Sequence, residues 1–118
     1  MPADQAGYHP DGDYWRGAVW APTNYMVTRG LMHAGRDDLA HDIASRYIAG
    51  IEAAYRRVSP HTIWECYSPE KPLPGLAAYR HDRVKPDFVG WSGLGPIAML
   101  IENVIGIHGL PFGVATNF

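Results

Sequence analysis

Apolar and polar positions alternate with the period of an α-helix in the segment that follows Gly35. Apolar side chains recur there every four residues, at Leu39, Ile43, Tyr47, Ile51 and Tyr55. Arginine and glutamate side chains occupy the other side, as expected for a helix with one buried stripe. Asp37 is a suitable N-cap residue, so the pattern predicts a helix that begins there and buries this stripe in the core.

One further helix is predicted on each side of this one. Pro22 suits the first turn of a helix that ends near Ala34, where Gly35 provides a stop signal. The third helix is predicted from Ser92, as its N-cap, to Ile105, and it is apolar nearly all round. Such a helix needs protein on every side, which three helices do not provide. We therefore expect further chain, or a second subunit, to cover it.

The other segments are predicted to be loops. Residues 1–13 contain proline, glycine and aspartate without periodicity, which is typical of a leading loop. Prolines at 60, 69, 72, 74 and 86 exclude a continuous helix from Val58 to about Gly90. Long segments without regular structure are uncommon in compact domains and are often functional when they occur.

Composition and charge exclude several classes of function. The net charge is −2 and the basic residues are scattered, so a nucleic-acid partner is not expected. The apolar run from Ile97 to Ile107 is shorter than the roughly 20 residues of a membrane span. The first residues lack the basic and apolar regions of a signal peptide, so we expect a cytoplasmic protein without a membrane partner. The six histidines and Cys66 fit no metal or thiol-nucleophile pattern, so neither a metal nor another cofactor is expected.

Aromatic residues are frequent, with four tryptophans and seven tyrosines, and three segments place them beside polar residues. Residues 14–25 interleave Trp15 and Trp20 with Arg16 and Asn24. Flat aromatic faces beside bidentate donors suit a sugar, which presents apolar C–H faces edged with hydroxyls. The alternative is a loop leading into a helix whose tryptophans pack in the core.

The other two segments raise the same choice between chemistry and packing. Glu65 lies between aromatic residues, and a partly desolvated carboxylate of this kind can act as a general acid or base. In isolation, a glutamate in a loop is more commonly a surface group. Trp91 lies between two glycines that allow close approach of a backbone, either to a ligand or to a neighbouring helix.

Together the three segments resemble the sequence of one enzyme family. The segments are YWRGAVWAPTNY, IWECYSPE and DFVGWSGLGPIAMLIE. In this order they resemble the C-terminal portion of the inverting hydrolases of glycoside hydrolase family 63. That family includes mannosylglycerate hydrolase-like and processing α-glucosidase enzymes, and the family 37 trehalases are more distantly similar. The resemblance covers about residues 12–108 and implies an all-α fold, a partial (α/α)6 toroid, with residues 1–118 as the C-terminal fragment of the catalytic domain.

The resemblance also implies roles for individual residues. Glu65 would be the general base that activates the attacking water. The residues that would bind the carbohydrate substrate are Trp15, Arg16, Trp20, Asn24, Trp64, Tyr67 and Trp91. Among these, Trp91 would lie in the floor of the site and Tyr67 would hydrogen-bond a sugar hydroxyl.

Inversion also requires a carboxylic acid about 6.5–9.5 Å from the base. In the enzymes that this chain resembles, the acid is an aspartate far upstream of these segments. We therefore expect the chain to supply the base and the substrate contacts of an inverting hydrolase of glucosides or mannosides, and to be inactive alone. The alternative is an oligomeric carbohydrate-binding or assembly module without catalysis, joined through its third helix. A third interpretation is a remnant with no function of its own.

Overall fold

The computed structural model describes residues 2–77 and 82–108, which are mostly helical. Helix α1 spans Ala21–His33, helix α2 spans Asp37–Arg57 and helix α3 spans Gly95–Ile105. Strands β1 (Leu76–Ala77) and β2 (Asp82–Arg83) form a small antiparallel sheet. The helical content agrees with the all-α expectation, to which the sheet is an addition. Among the described residues, no helix has both the length and the apolar character needed to cross a membrane.

Helix α1 forms where the sequence predicts it. Pro22 occupies the first turn of the helix, where a backbone N–H has no partner within the helix, so the N–H that proline lacks is not missed. Gly35, just beyond the end, adopts a left-handed conformation with φ of 69°. At the start, the side chains of Thr23 and Asn24 both donate to the carbonyl oxygen of Trp20, at 2.9 and 2.8 Å. These bonds tie the helix to the buried Trp20.

Helix α2 starts at the predicted residue but without the predicted cap. Asp37 is the first helical residue, Arg36 occupies the cap position, and no side chain caps this end. The N-cap prediction for Asp37 is therefore wrong. Asp37 and Asp38 place negative charge in the first turn, where it interacts favourably with the helix dipole. A hydrogen bond from Arg36 also lowers the pKa of Asp38 below its usual value.

The buried face of α2 differs from the predicted stripe. The buried residues are Ala40, Ala44, Tyr47, Ile51 and Ala54. Leu39 and Tyr55 are 38% and 48% exposed, so the prediction is wrong at both ends of the stripe. Helix α2 packs against both α1 and α3, and alanine allows neighbouring backbones to come close. Periodicity alone favoured the larger apolar residues because it does not reveal where the neighbouring helices lie.

Helix α3 is wound as a π-helix and follows a 3₁₀ turn at Trp91–Leu94. Ser92 lies inside that turn and caps no helix, so the N-cap prediction for Ser92 is wrong as well. The first residue of α3, Gly95, lies so close to α2 that a Cβ atom there would be 2.5 Å from Cε1 of Tyr47. Only glycine permits this approach without displacing the tyrosine.

One side of α3 is exposed to solvent. Ile97, Ile101 and Ile105 follow one another at intervals of four residues and are 58%, 41% and 60% exposed. In the described part of the chain, nothing packs over this row. The expectation that other protein covers α3 stays a prediction.

The proline-rich segment between α2 and α3 contains more regular structure than expected. Tyr67 forms antiparallel bridges with Val19 on one side and with Pro74 on the other. The backbones of Val19 and Tyr67 exchange two N–H···O bonds of 2.9 and 3.0 Å. In addition, the N–H of Leu76 donates to the carbonyl oxygen of Asp11 at 3.0 Å. This pairing brings the segment before α1 beside the segment that contains Glu65.

Candidate functional site

A tight turn at Tyr14–Arg16 precedes helix α1 and supplies several of the candidate side chains. Tyr14 adopts a left-handed conformation with φ of 56°, which costs a non-glycine residue about 1–2 kcal/mol. Gly17 closes the turn at φ of 156°, and a Cβ atom there would be 2.7 Å from the carbonyl oxygen of His9. A backbone bond from His9 to Arg16 (2.8 Å) fixes the turn.

Five aromatic side chains, which come from this turn, from the N-terminal end of α1 and from the segment before α3, form one cluster. We call them the aromatic cluster: Tyr14, Trp15, Trp20, Phe88 and Trp91. The indole rings of Trp15 and Trp20 are stacked, with centroids 4.4 Å apart. Tyr14 and Trp91 each meet Trp20 edge to face, at 5.1 and 6.1 Å. Trp20 is 3% exposed, whereas Trp15 and Trp91 are 62% and 47% exposed. The two exposed tryptophans therefore pack against a buried one.

Glu65 lies against this cluster and is 5% exposed. Its Oε1 atom accepts a short hydrogen bond from the hydroxyl of Tyr14. Its Oε2 atom accepts from the backbone N–H of Lys85 at 3.3 Å. Both carboxylate oxygens therefore have a donor, which is the condition under which a buried carboxylate is tolerated.

The backbone of Glu65 is held from two further directions. Its N–H donates to the carbonyl oxygen of Lys85 at 3.0 Å, and its carbonyl oxygen accepts from the hydroxyl of Ser92 at 2.9 Å. Ser92 is fully buried. The backbone of this glutamate is thus hydrogen-bonded both to the strand-like segment after β2 and to the turn that begins at Trp91.

Arg16 is directed toward the N-terminal loop. Its Nε atom donates to the carbonyl oxygen of Gly7 at 2.8 Å, and its Nη1 atom lies 2.9 Å from Oδ2 of Asp13. The side chain of Arg16 is 53% exposed, so part of the guanidinium faces solvent. It follows Trp15 directly in the turn at Tyr14–Arg16.

Asn24 and Tyr67 line a different cavity from the surroundings of Glu65. A groove of about 390 Å³ runs between α2 and the 68–72 turn, and both residues contribute to its wall, together with Tyr47. The amide of Asn24 donates to Trp20, as described above, and the ring of Tyr67 packs edge to face on Tyr47 at 6.3 Å. Tyr67 is 4% exposed, and burial raises the pKa of its hydroxyl.

Trp64 and Cys66 flank Glu65 in the sequence and are both buried. The N–H of Trp64 donates to the hydroxyl oxygen of Tyr67 at 3.2 Å, and its indole lines a cavity beside residues 82–86. Burial, reinforced by the negative charge of Glu65, raises the pKa of Cys66 to about 12. A buried thiol with a raised pKa stays protonated at neutral pH and packs as a small apolar side chain.

The structure therefore brings together only part of the predicted site. Glu65, Trp15, Trp20 and Trp91 lie in one assembly that is linked through Tyr14, and Arg16 bonds instead to the N-terminal loop and Asp13. Asn24, Trp64 and Tyr67 instead pack around the segments that carry this assembly, and their predicted contacts with sugar stay predictions. In residues 2–77 and 82–108, no group of three or more histidine, cysteine, aspartate or glutamate side chains is placed to hold a metal ion.

Sequence reasoning gave no place in the site to Tyr14, Ser92 or the backbone of Lys85, although all three bond to Glu65. Tyr14 and Ser92 stand inside the segments that were singled out, next to Trp15 and Trp91. The signal that the sequence offered for these two residues was a hydroxyl-bearing side chain next to each exposed tryptophan. Their pairing with one glutamate required the tertiary structure.

The site combines a buried carboxylate that accepts two hydrogen bonds, a group capable of general-base chemistry, with exposed tryptophan faces that can pack on apolar C–H groups. The family described as the mannosylglycerate hydrolase MGH1-like glycoside hydrolase domain matches residues 1–78 of this chain, about two thirds of its length. The chain therefore belongs to this family of glycoside hydrolases. The matched range contains Trp15, Arg16, Trp20 and Glu65 and ends before Trp91.

Comparison with curated proteins adds one relative. An uncharacterized protein from Borreliella burgdorferi is 26% identical over 111 residues. The alignment covers 91% of this chain and 23% of that protein, so the chain spans about a quarter of its relative's length. No solved structure matches the chain.

Proposed function

We propose that this chain supplies the general base and part of the sugar-binding surface of an inverting α-glycoside hydrolase that acts on a glucoside or mannoside. The rest of an (α/α)6 toroid would come from polypeptide outside these 118 residues. Family membership supports the reaction class. The greater length of the relative and the exposed isoleucines of α3 support the larger domain.

The observation that carries the proposal is the environment of Glu65. The carboxylate is buried, holds a donor at each oxygen and is bonded to Tyr14, whose ring packs on Trp20 of the aromatic cluster. A carboxylate has about four lone-pair positions, and donors in the described part of the chain occupy two of them, so another can accept the proton of a water molecule. Glu65 would take that proton as the water oxygen attacks the anomeric carbon.

The aromatic cluster would bind the sugar. The exposed faces of Trp15 and Trp91 offer flat apolar surfaces for the C–H faces of a pyranose ring. Arg16, which is half exposed, would donate hydrogen bonds to sugar hydroxyls from the edge. Asn24, Trp64 and Tyr67 would contribute mainly by holding the supporting segments, since their present contacts are with protein.

Departure of the leaving group needs a general acid on the opposite side of the sugar, about 6.5–9.5 Å from the base. We propose that this acid is an aspartate in the remainder of the domain. The 118-residue chain alone would then bind sugar weakly and hydrolyse no glycoside.

The base assignment is tested in the complete enzyme, by which we mean this chain together with the rest of its catalytic domain. Glu65→Gln is expected to lower kcat by about 100- to 10,000-fold, the usual contribution of a general base. The matched control is Glu52→Gln, an exposed glutamate on α2 that is paired with Arg56. Unchanged hydrolysis in the Glu65→Gln enzyme would show that the base assignment is wrong.

A second measurement tests the stereochemistry in the native complete enzyme. An inverting enzyme releases the β-anomer of the sugar first from an α-glycoside, which NMR detects before the anomers interconvert. First release of the α-anomer would contradict the inverting mechanism. In Glu65→Ala, added azide is expected to restore turnover of an activated α-glycoside as the β-glycosyl azide, because azide attacks without losing a proton.

The exposed row on α3 favours a second candidate, an oligomeric carbohydrate-binding or assembly module. Ile97, Ile101 and Ile105 would then be covered by a second copy of the chain. Sedimentation velocity of the 118-residue chain distinguishes the two, with Ile101→Asn as the variant expected to dissociate an oligomer. A well-folded monomer at micromolar concentration would eliminate this candidate.

A further inference from the structure

Tyr14 is the side-chain donor at the carboxylate of Glu65. The two residues are 51 positions apart in the sequence, and the tyrosine hydroxyl reaches Oε1 directly. The other oxygen, Oε2, accepts from the backbone of Lys85. The two donors belong to different segments, and together they hold both ends of the carboxylate.

Tyr14 is itself fixed in place by its surroundings. Its carbonyl oxygen accepts from the N–H of Ala18 at 3.0 Å and from the indole Nε1 of Trp20 at 3.4 Å. Its ring packs against the edge of Trp20. The left-handed backbone at φ of 56° is a conformation that tyrosine rarely adopts, and such strain is maintained where the surrounding structure holds the residue.

A general base works only when a lone pair is directed at the water that it deprotonates. A glutamate side chain has three rotatable bonds, and a free carboxylate would sample several orientations. With one oxygen held by Tyr14 and the other by Lys85, rotation of the carboxylate would break at least one hydrogen bond.

We propose that Tyr14 is a positioning residue, whose hydroxyl holds the carboxylate of Glu65 in the orientation that accepts a proton from the attacking water. This inference rests on the proposed function, because it assigns a partner to the base named there. As the water oxygen bonds to the anomeric carbon, its proton passes to Glu65. The bond to the leaving oxygen breaks, and that oxygen takes a proton from the carboxylic acid elsewhere in the domain. Tyr14 keeps its own proton throughout.

The same turn also aligns the base with the sugar platform. Trp15 follows Tyr14 directly, and its ring is stacked on Trp20, which Tyr14 contacts at its edge. A displacement of the turn would therefore move the platform and the base together. Removing the hydroxyl alone leaves the ring contact in place and removes the hydrogen bond to the carboxylate.

The test compares Tyr14→Phe with Tyr8→Phe in the complete enzyme. Tyr8 also donates to a glutamate, at 2.8 Å from Oε1 of Glu70, so the control removes the same kind of bond away from the base. Tyr14→Phe is expected to lower kcat by roughly 10- to 100-fold, as misorientation of a reacting group does. KM should stay within about twofold, because the aromatic platform remains. Tyr8→Phe should leave both constants unchanged.

A double-mutant cycle shows whether Tyr14 acts through Glu65. In the Glu65→Gln background, Tyr14→Phe should cause less than about a twofold further loss of kcat, because the base is already absent. A loss in that background as large as in the native enzyme would overturn the proposal. An unchanged kcat in the single Tyr14→Phe variant would do so too.

The cycle also separates this inference from the function on which it rests. If Glu65→Gln leaves hydrolysis intact, the base assignment fails, whatever Tyr14 does. If Glu65→Gln abolishes hydrolysis but Tyr14→Phe has no effect, only the role of Tyr14 fails. Thermal unfolding is followed for each variant, and a Tyr14→Phe protein that no longer folds would overturn the inference, since its hydroxyl would then act on the fold.

Discussion

The close contact between α3 and α2 at Gly95 leads to a specific prediction about stability. A methyl group at this position would lie 2.5 Å from Cε1 of Tyr47 and 3.0 Å from Cδ1 of Ile51. Both distances are too short for carbon atoms in contact, so Gly95→Ala forces the two helices apart or displaces the tyrosine. Tyr47 is 7% exposed and its ring packs edge to face on Tyr67, which restricts the movement that could relieve the clash.

Two effects of opposite sign determine the magnitude. Overpacking of a buried contact costs about 1–3 kcal/mol. Alanine is favoured over glycine within a helix by at most about 1 kcal/mol, and by less at the first residue of α3. The overpacking is therefore expected to dominate, and Gly95→Ala should lower the free energy of unfolding by roughly 1–2 kcal/mol.

Urea unfolding followed by circular dichroism at fixed protein concentration measures this difference. Gly30→Ala is the matched control, because Gly30 lies within α1 and no neighbouring atom would contact an added methyl group. That substitution should raise the free energy of unfolding by about 0.5–1 kcal/mol. If Gly95→Ala were as stable as Gly30→Ala, the close approach of α3 to Tyr47 would be refuted.

Two further predictions concern buried groups of the core. The pKa of Cys66 is about 12 in the folded chain and about 8.5 when unfolded, so stability is expected to fall as pH rises from about 9 to 12. Ionisation of this thiol should lower the free energy of unfolding by at most about 1.4 kcal/mol per pH unit. This part of the pH dependence should be absent in Cys66→Ser, which urea midpoints measured across the range would show. The hydroxyl of Tyr47 is buried without a hydrogen-bond partner in the described part of the chain, so Tyr47→Phe should stabilise it by up to about 1 kcal/mol. A loss of stability in the same urea assay would mean that the hydroxyl has a partner.

Local patterns in the sequence predicted the helices well, because helix formation depends on neighbours three and four residues apart. Pro22 and Gly35 marked α1 to within a residue, and the charges at the two ends of α2 suit its dipole. The same patterns did not predict the whole buried face of α2 correctly. Its burial depends on α1 and α3, and the small residues Ala40 and Ala44 permit contacts that a periodicity of large residues does not indicate.

For the candidate site, the sequence by itself singled out the residues that we propose to carry the chemistry: a glutamate between aromatic residues, and tryptophans beside Arg16 and between glycines. Only the tertiary structure decided how they meet. The bridge between Val19 and Tyr67 brings the two segments together, and the left-handed turn at Tyr14 places a hydroxyl on Glu65. Contacts between residues 51 positions apart arise from backbone pairing and packing across the whole chain, which no local pattern records.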